Sequence, residues 1–421
     1  MKIEEERRIM DSLEKSNPWW KEAFIIEFKP REIYDEIKKY LPQKFIVALV
    51  GLRRTGKTTL LLKIAEDART KMEQTHIIYF SFDDWKGIRI EEVIQSYEKL
   101  LRKDIKKDKY LFLFDEIQKI ENWEEQLKQL YDRYSSLYGS CKFIISGSES
   151  LFIRKKSRES LAGRIFEFKV KTLSFKEFLN FKSIPYDNFL LYRETILREF
   201  QNFIISNGFP EIINEEKETA AKYIKENIIE RIIYRDIPQI VPVRDPTKLV
   251  HLLAIILNNP GQIINLEESA KSLDMSRQTL SLYLEYLEQS FLIRKLYNYS
   301  RNARKTQQRY KKYYPTFISP DIVEKRELFG NIFETVLVNQ LNAEFFWRDP
   351  YKNEVDIIIP ESELTAIEVK SGAVKERDLH SLQRFIKKFN PKKSFVLTYD
   401  TEVEIAKIPL IPFYQYLLKE F

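Results

Sequence analysis

The sequence has almost no cysteine and little histidine: Cys141 is the single cysteine, and 421 residues include three histidines. One cysteine cannot close a disulfide within the chain, and it cannot supply a four-cysteine zinc site. Because cytosolic proteins rarely carry disulfides, the composition predicts a reducing, cytoplasmic setting. It also argues against a zinc protein.

Long apolar runs are missing as well. The stretch FIVALV (45–50) is strand-sized, whereas a membrane-spanning helix needs about 20 apolar residues. The first ten residues, MKIEEERRIM, contain no apolar region of a signal peptide. We therefore expect an intracellular protein with no membrane partner.

The charge is nearly balanced, with 70 Lys and Arg against 63 Asp and Glu and a formal net charge of +7. This mild excess permits a nucleic-acid partner without requiring one. Hydrophobic residues make up 43% of the chain, which is enough for packed cores and argues against wholesale disorder. The length predicts two or three domains.

The apolar pattern changes character along the chain. Short β-rich runs alternate with helix-like segments between about 45 and 170, which predicts a parallel α/β sheet. Helical spacing dominates from 175 to 245, and three helices with a following basic, aromatic stretch predict a winged helix-turn-helix. The last hundred residues form a second α/β unit. The predicted domains are 1–174, 175–245, 246–314 and 315–421.

The segment GLRRTGKT (51–58) matches the P-loop pattern GxxxxGK followed by Ser or Thr, directly after a strand-like run and before the apolar helix LLLKIA. Its glycines let consecutive main-chain N–H groups close around phosphate oxygens. Lys57 would hold the β- and γ-phosphates of ATP, and the hydroxyl of Thr58 would ligate Mg²⁺. The other predicted nucleotide contacts are Gly51, Arg54, Thr55, Gly56 and Thr59. The alternative is an ordinary glycine loop.

An acidic pair follows the apolar run LFLF: Asp115 and Glu116 stand where a strand beside the P-loop should end. Asp115 would hold Mg²⁺ through water, and Glu116 would polarise the attacking water. By itself such a pair could be a helix cap. The P-loop upstream favours the functional interpretation.

Polar residues after the run KFII (142–145) could sense the γ-phosphate at the end of the neighbouring strand. Ser146 and Ser148 are equal candidates. Arg164, after the basic residues of 154–158, could reach a phosphate in its own or a neighbouring subunit. The alternative for Arg164 is a solvated surface arginine.

The order of these blocks resembles a known family. GLRRTGKTTLL, LFLFDEIQKIENWE, FIISGSES, LAGRIFEFKVKTLSFKEFL and NGFPE are similar to archaeal and bacterial P-loop ATPases of the AAA+/STAND-like group, in which a winged helix and a PD-(D/E)xK nuclease-like domain follow the ATPase. The resemblance covers essentially the whole chain. It implies an ASCE-type core with Lys57, Thr58, Asp115 and Glu116 in the family's roles.

Four residues of the last part follow the nuclease order Glu, Asp, ExK: Glu334 on a helix, Asp356 at the start of EVDIII, and Glu368 and Lys370 in TAIEVK. Residues two apart in a strand share a face, so Glu368 and Lys370 should project together toward Asp356. Two carboxylates could hold Mg²⁺ while the lysine orients a water. Alternatively, the fold is kept as a binding module without cleavage.

The predicted winged helix offers candidate DNA contacts. Ser276 would cap its third helix, placing Arg277, Gln278 and Thr279 where base edges or phosphates are reached. The wing adds a set of basic side chains, namely Arg301, Arg304, Arg309, Lys311 and Lys312. Glu285 and Glu288 would repel phosphate farther along the helix, and winged helices also bind proteins.

These features together predict a Mg²⁺-dependent ATPase that couples ATP binding and hydrolysis to DNA binding, with nuclease action open. The alternative is a STAND-type signalling switch whose C-terminal domains bind protein. A third hypothesis is a nuclease that the ATPase merely licenses. Whether the protein forms a homo-oligomer is left open.

Overall fold

The structure, a computed structural model, describes residues 3–137, 139–147, 161–302, 306, 310–319, 322–361 and 363–419. The chain divides into two compact units, Met1–Lys171 and Thr172–Phe421. Ser148, Arg304 and Arg309, three of the predicted site residues, lie outside the described part.

The first unit consists of a sheet with helices on its faces. Its strands are β1 (Ile46–Val50), β2 (Ile77–Ser81), β3 (Tyr110–Asp115), β4 (Cys141–Gly147) and β5 (Ile165–Lys169). Its helices are α1 (Ile3–Ser16), α2 (Glu32–Lys38), α3 (Lys57–Ala68), α4 (Ile90–Leu101) and α5 (Trp123–Leu130), the last continued by wider turns over Tyr131–Leu137. Short 3-10 turns cover Pro18–Trp20, Gln74–His76 and Ile117–Lys119.

All five strands are parallel, in the order β2-β3-β4-β1-β5. Parallel strands covered on both faces read as continuous apolar runs, and β1 is buried at every position. This confirms the predicted parallel sheet. The order places β4 between β1 and β3, so the carboxyl end of β4 lies between the P-loop and the acidic pair.

The segment before β1 closes the edge of the sheet, which the sequence did not predict. The side chain of Asn17 bonds both the main-chain N–H and the C=O of Tyr79 on the edge strand β2. The indole N–H groups of Trp19 and Trp20 both donate to the carbonyl of Ile77. These contacts satisfy polar groups that an edge strand leaves unpaired.

The second unit begins with helices and ends with a mixed sheet. Its helices are α6 (Phe175–Phe181), α7 (Phe189–Ser206), α8 (Lys217–Tyr223), α9 (Ile237–Ile240), α10 (Pro246–Asn258), α11 (Leu266–Ser272), α12 (Arg277–Gln289), α13 (Phe329–Gln340), α14 (His380–Phe389) and α15 (Phe413–Leu418). Wider turns over Ile224–Glu230 and Ile232–Asp236 connect α8 to α9, and 3-10 turns cover Pro210–Ile212, Arg326–Leu328 and Glu376–Leu379.

The strands of this unit are β6 (Gln262–Ile263), β7 (Ile293–Asn298), β8 (Lys311–Pro315), β9 (Phe345–Arg348), β10 (Glu354–Ile359), β11 (Thr365–Lys370), β12 (Lys393–Thr398), β13 (Val403–Ile405) and β14 (Ile408–Pro412). They form one sheet of nine strands in the order β13-β14-β12-β11-β10-β9-β7-β8-β6. The strands predicted at EVDIII and TAIEVK are confirmed.

The second unit is more continuous than its sequence pattern suggests. β7 pairs in parallel with β9, Tyr297 opposite Phe345, so strands on either side of residue 315 belong to one sheet. Phe175 and Phe200 from the helical segment pack against Phe413, with the centroids of Phe200 and Phe413 4.1 Å apart. The helical segment and the last hundred residues therefore share a hydrophobic core, and the four-part division stays a prediction.

Candidate functional site

The P-loop joins β1 to α3 and depends on backbone positions that only glycine fits. Gly56 has φ 91°, in the left-handed region. A Cβ placed on Gly51 would lie 2.1 Å from the carbonyl oxygen of Val170, at the end of β5. The main chain at Gly51 therefore lies so close to the main chain at the end of β5 that no side chain fits between them.

Lys57 and Thr55 are directed into the loop itself. The buried Lys57 ammonium donates to the carbonyls of Gly51 and Leu52, at 3.2 and 2.7 Å. Thr55 is fully buried, and its hydroxyl donates to the Leu52 carbonyl at 2.9 Å. Thr55 thus braces the loop with its side chain, while Arg54 and Thr59 are exposed.

The loop is also held by a residue that the sequence did not single out. Arg31 is buried, and its guanidinium donates to the carbonyls of Thr55 at 2.9 Å and Lys171 at 2.8 Å. The guanidinium therefore connects the P-loop to the chain just after β5. No motif indicated this role, because Arg31 lies about 20 residues before the loop in an irregular segment.

Asp115 is brought against the start of α3 by the parallel pairing of the strands. It is 3% exposed and accepts hydrogen bonds from the hydroxyls of Thr58 at 2.6 Å and Tyr79 at 2.9 Å, and from Ser146. Burial and the Asp115 charge raise the pKa of Tyr79, so this phenol stays a donor. Thr58 and Asp115 are the residues predicted for Mg²⁺, and their contact fits a shared cation.

Tyr79 is a further residue that the sequence analysis missed. The available signal was its place in the run HIIYFSF (76–82), two residues before Ser81, which lies opposite Asp115 in the sheet. Only the register of β2 on β3 shows that the phenol reaches the carboxylate. A tyrosine in a buried strand is otherwise an ordinary core residue.

Glu116 follows β3 with φ 53°, an uncommon conformation for a residue other than glycine. Its N–H donates to the Ser146 hydroxyl at 3.2 Å, and its carboxylate accepts a hydrogen bond from the Gln118 amide. Ser146 is fully buried and contacts both acidic residues. The Ser146 hydroxyl, which the sequence predicts to sense phosphate, therefore holds Asp115 and Glu116 in position through hydrogen bonds.

Arg164 lies at the amino-terminal end of the strands, whereas the P-loop lies at their carboxyl end. It precedes β5, and its carbonyl accepts from the N–H of Ile46 at the start of β1. The five residues of β1 span about 16 Å, and the guanidinium instead pairs with Asp132 at 2.8 Å. The structure thus places Arg164 away from the P-loop of its own chain, and its contact with a phosphate of its own or a neighbouring subunit stays a prediction.

The four residues predicted for a nuclease-like site do converge in the second unit. The Lys370 ammonium donates to Glu368 Oε1 at 2.7 Å, and Asp356 accepts from the N–H of Val369 at 2.9 Å. Glu334 accepts from Lys312 at 3.2 Å and from the hydroxyl of Tyr314. The other oxygen of Glu368, Oε2, is buried and has no hydrogen-bond partner among the described residues.

Lys312 corrects one expectation for the wing. It is 5% exposed and lies among the acidic residues, 3.2 Å from Glu334 and 2.5 Å from Glu354. Strand alternation explains this, because neighbours on β8 point to opposite faces. Lys312 is therefore a buried member of the acidic cluster and not a wing contact.

Burial dominates the electrostatics of this cluster. It raises the pKa of Asp356 well above its ordinary value, and the nearby Glu368 and Glu334 add to the effect. Burial likewise raises the pKa of Glu368 to about 7, although the Lys370 ammonium opposes the shift. Among the described residues, no group of three or more His, Cys, Asp or Glu is arranged to hold a metal ion.

The predicted DNA contacts lie at the start of α12. Ser276 caps the helix by accepting from the N–H of Thr279 at 3.0 Å. Arg277 is exposed and pairs loosely with Glu267 at 3.3 Å, and Gln278 is exposed beside it. In the segment predicted to be a wing, Arg301 donates to the carbonyl of Phe389, and burial lowers the pKa of the half-buried Lys311.

No helix within the described ranges has the length and apolar character that crossing a bilayer requires.

Comparison with known proteins agrees with the P-loop geometry. Residues 43–179 match a family model described as an AAA domain, and residues 197–316 and 329–416 match two domains of unknown function, DUF8612 and DUF4143. Two uncharacterised proteins of Methanocaldococcus jannaschii are 27% and 29% identical to the chain. They match over 93% and 95% of it and 89% and 90% of their own lengths.

Similar solved structures include Cdc6p of Pyrobaculum aerophilum and the RuvB Holliday junction branch migration motor of Thermotoga maritima. Cdc6p is 11% identical, with 76% of this chain and 98% of that chain covered and a TM-score of 0.33. RuvB is 17% identical, with 68% and 94% covered and a TM-score of 0.34.

Proposed function

We propose that the protein, whose first unit has an AAA-type P-loop domain, is a Mg²⁺-dependent ATPase that couples ATP binding and hydrolysis to DNA binding by its second unit. The observation that carries the ATPase is the 2.6 Å hydrogen bond from Thr58 to Asp115 beside the buried Lys57 ammonium. A lysine, a hydroxyl and a carboxylate so placed match what phosphoryl transfer asks of a protein, which is mainly positioning and charge stabilisation.

Each residue of the site has a defined task in this proposal. Lys57 leaves its two loop carbonyls to bind the β- and γ-phosphates. Thr58 and Asp115 would hold Mg²⁺, which supplies charge neutralisation between the phosphates when bound. Glu116 orients and polarises the attacking water, and Ser146 keeps the two acidic residues in register through its two hydrogen bonds.

The ATPase is tested with two substitutions that separate binding from turnover. Lys57→Ala should weaken ATP binding, because the phosphates lose their cation. Glu116→Gln should keep the affinity and lower the turnover by about 100-fold or more, in the range of general-base removal. The measurements are ATP affinity by calorimetry and phosphate release at saturating ATP.

Glu121→Gln is the matched control, because Glu121 is an exposed acid five residues farther along the same segment. It should hydrolyse ATP like the unmodified protein. Normal hydrolysis by Glu116→Gln would show that Glu116 is not the base. Failure of the unmodified protein to bind ATP with Mg²⁺ would sink the whole proposal.

DNA binding is supported by the order of elements in the middle of the second unit. Among the described residues, helix α10, strand β6, helices α11 and α12 and strands β7 and β8 follow one another, and the three strands pair antiparallel in the order β6-β8-β7. That is the order of a winged helix-turn-helix. In this proposal the exposed first turn of α12, with Arg277 and Gln278, enters a DNA groove.

The coupling is tested by measuring ATP hydrolysis with and without duplex DNA. We expect DNA to stimulate hydrolysis, and the double substitution Arg277→Ala/Gln278→Ala to remove both duplex affinity and stimulation. Lys271→Ala/Ser272→Ala, on the preceding helix, serves as the control. Hydrolysis that is indifferent to DNA would contradict the coupling.

A signalling switch without nuclease activity is the second candidate, and the position of Lys312 favours it. Lys312 and Lys370 bind the carboxylates of Glu334, Glu354 and Glu368 within the protein, so each of these three carboxylates already has a cation partner. In this case the second unit binds another protein, and neither DNA nor Mg²⁺ changes its behaviour.

Cleavage by the acidic cluster is tested separately. If the cluster is a nuclease, Lys370→Ala should abolish Mg²⁺-dependent DNA cleavage and leave ATP hydrolysis intact. If the unmodified protein cuts no DNA with Mg²⁺ while it hydrolyses ATP, the cluster has a structural or binding role. Cutting that Lys370→Ala leaves unchanged would point to a contaminating nuclease.

A further inference from the structure

The second unit has a cavity of about 400 Å³ that none of the predicted sites uses. Helix α14 forms one wall, with His380, Arg384, Lys387 and Lys388. Trp347 on β9 and Tyr351 in the turn between β9 and β10 also line the cavity. His380, Arg384 and Lys388 are four residues apart, and Lys387 follows Arg384 by three, which are the spacings of one helix face. Their side chains therefore line one side of the cavity.

The charge of this wall is largely uncompensated. Arg384 pairs with Asp349 at 3.5 Å, and Asp349 is in turn held by the main-chain N–H groups of Tyr351 and Asn353. Within the described part of the chain, Lys387 and Lys388 have no carboxylate within ion-pair distance. The Lys388 ammonium lies 5.7 Å from the ring centroid of Trp347 and 5.3 Å from that of Phe389, contacts that do not neutralise its charge. The wall therefore carries two ammonium groups without a carboxylate partner, which predicts an anionic ligand.

The aromatic residues indicate what accompanies the anion. Trp347 is 1% exposed, yet its indole N–H has no hydrogen-bond partner among the described residues. Such a buried donor is costly unless a ligand or water accepts from it. Tyr351 is 78% exposed beside the cavity, and the guanidinium of Arg384 lies 5.6 Å from its ring centroid. An exposed ring supported in this way is a platform on which a planar group can stack.

We infer that this cavity binds single-stranded nucleic acid, with a backbone phosphate at Lys387 and Lys388 and a base stacked on Tyr351. The combination of a basic track with an aromatic platform is the general means of binding single strands, because every base has a π-face. A duplex would offer the phosphates but keep its bases stacked on one another. The inference rests on the proposed nucleic-acid function for the class of partner, but it uses none of the residues of α12.

The experiment measures fluorescence anisotropy of a labelled oligothymidylate of about 20 nucleotides, a length that covers several nucleotides on either side of one site. EDTA is present so that no metal-dependent cleavage occurs. Lys387→Ala/Lys388→Ala should weaken binding about tenfold and reduce its salt dependence. Tyr351→Ala should weaken binding about tenfold as well, in the range for loss of one stacked base.

Arg377→Ala/Lys392→Ala is the matched control, because it also removes two positive charges from the segment around α14, outside the cavity. Its affinity should stay within about twofold of the unmodified protein, as expected if the general charge contributes little. Equal weakening by the control and by the cavity variant would overturn the inference. So would thymidine monophosphate binding as tightly as the strand.

A failure of this site can be distinguished from a failure of the proposed function. Arg277→Ala/Gln278→Ala should leave single-strand affinity unchanged while it removes duplex affinity. If that variant keeps its duplex affinity but the cavity variant loses the single strand, the role of α12 is wrong and the cavity site stands. If neither duplex nor single strand binds the unmodified protein, both fall.

Discussion

The P-loop shows how single residues set the geometry of the nucleotide site. Lys57, Thr58, Asp115 and Glu116 were predicted from motif and spacing alone, and the structure brings them together. The residues that hold them in place were not predictable in this way. Arg31 and Tyr79 act through contacts with other elements of the fold, and Ser146, which the sequence predicts as a phosphate sensor, contacts both acidic residues. Nothing in the local sequence indicates these contacts.

Gly51→Ala should be much more damaging than a routine glycine substitution. Its Cβ would clash with the carbonyl of Val170, where neither main chain can easily move. We expect a loss of about 2–4 kcal/mol in the unfolding free energy of the first unit, together with loss of ATP binding. Thermal unfolding with and without ATP measures both effects.

The control is Gly87→Ala, because Gly87 has φ 75° but no atom within 4 Å of an added Cβ. It carries only the conformational penalty, about 1 kcal/mol, and should leave ATP binding intact. Equal losses from the two substitutions would mean that backbone conformation, and not the contact with β5, accounts for the requirement at Gly51.

Cys141 should label very slowly in the folded protein. Burial raises the pKa of its thiol to about 12, and the thiolate is the reactive form. Between pH 7 and 9 we therefore expect little iodoacetamide modification of the native protein. In denaturant the thiol should react rapidly, with an ordinary pKa near ~8.5.

Mass spectrometry measures this labelling without ambiguity, because the chain has one cysteine. Cys141→Ser provides the blank. Labelling of the native protein that approaches the rate in denaturant and levels off above about pH 8.5 would show an accessible thiol of ordinary pKa. It would mean that the start of β4 opens.

Among the elements, the strands that run through a core were the easiest to predict. EVDIII and TAIEVK are buried along most of their length, and the two-residue period of a strand correctly places Glu368 and Lys370 together. β7 and β8 were harder to predict. Their charged residues indicated the end of a helix for β7 and a wing for β8. Both strands carry lysines whose ammonium groups lie over an aromatic ring: those of Lys295 and Lys311 are 5.4 and 5.9 Å from the ring centroid of Tyr297.

Helix α12 depends on its cap. Ser276→Ala removes the acceptor for the N–H of Thr279 and should lower the unfolding free energy of the second unit by about 1 kcal/mol. Ser276→Thr, which keeps a hydroxyl, should retain most of the stability. Denaturant unfolding measures the difference, and hydrogen exchange at Gln278 and Thr279 locates it. Equal stability of the two variants would show that the cap contributes nothing.

For the molecule as a whole, the two compact units have separate hydrophobic cores. The core around Val47 and Leu60 draws on the first unit alone, and the core around Phe200 and Phe413 draws on the second alone. Each unit therefore buries its own apolar surface, which is the main requirement for independent folding. The predicted boundary at residue 315 does not have this property, because β7 and β9 pair across it.

A truncation experiment follows from this difference. Fragments 1–171 and 172–421 should each unfold cooperatively and give dispersed NMR spectra. Fragment 315–421 should not, because it exposes Phe413 and Phe346 and leaves the edge of β9 unpaired. Circular dichroism and thermal unfolding measure the outcome. A cooperatively folded fragment 315–421 would support the four-part division after all.

The chemistry of the nucleotide site could be read along the chain because a P-loop is a local motif: its residues are neighbours in sequence, and the strand before it and the helix after it give its context. The continuous apolar runs of the strands likewise predicted a parallel sheet. The pairing of strands that are distant in sequence could not be predicted, because it is not a local feature. Strand register and side-chain packing determine three further positions: that of Lys312 among the acidic residues, that of Arg164 away from its own P-loop, and that of the helical segment in the core of the second unit. Those depend on which distant residues meet, and no local pattern records that.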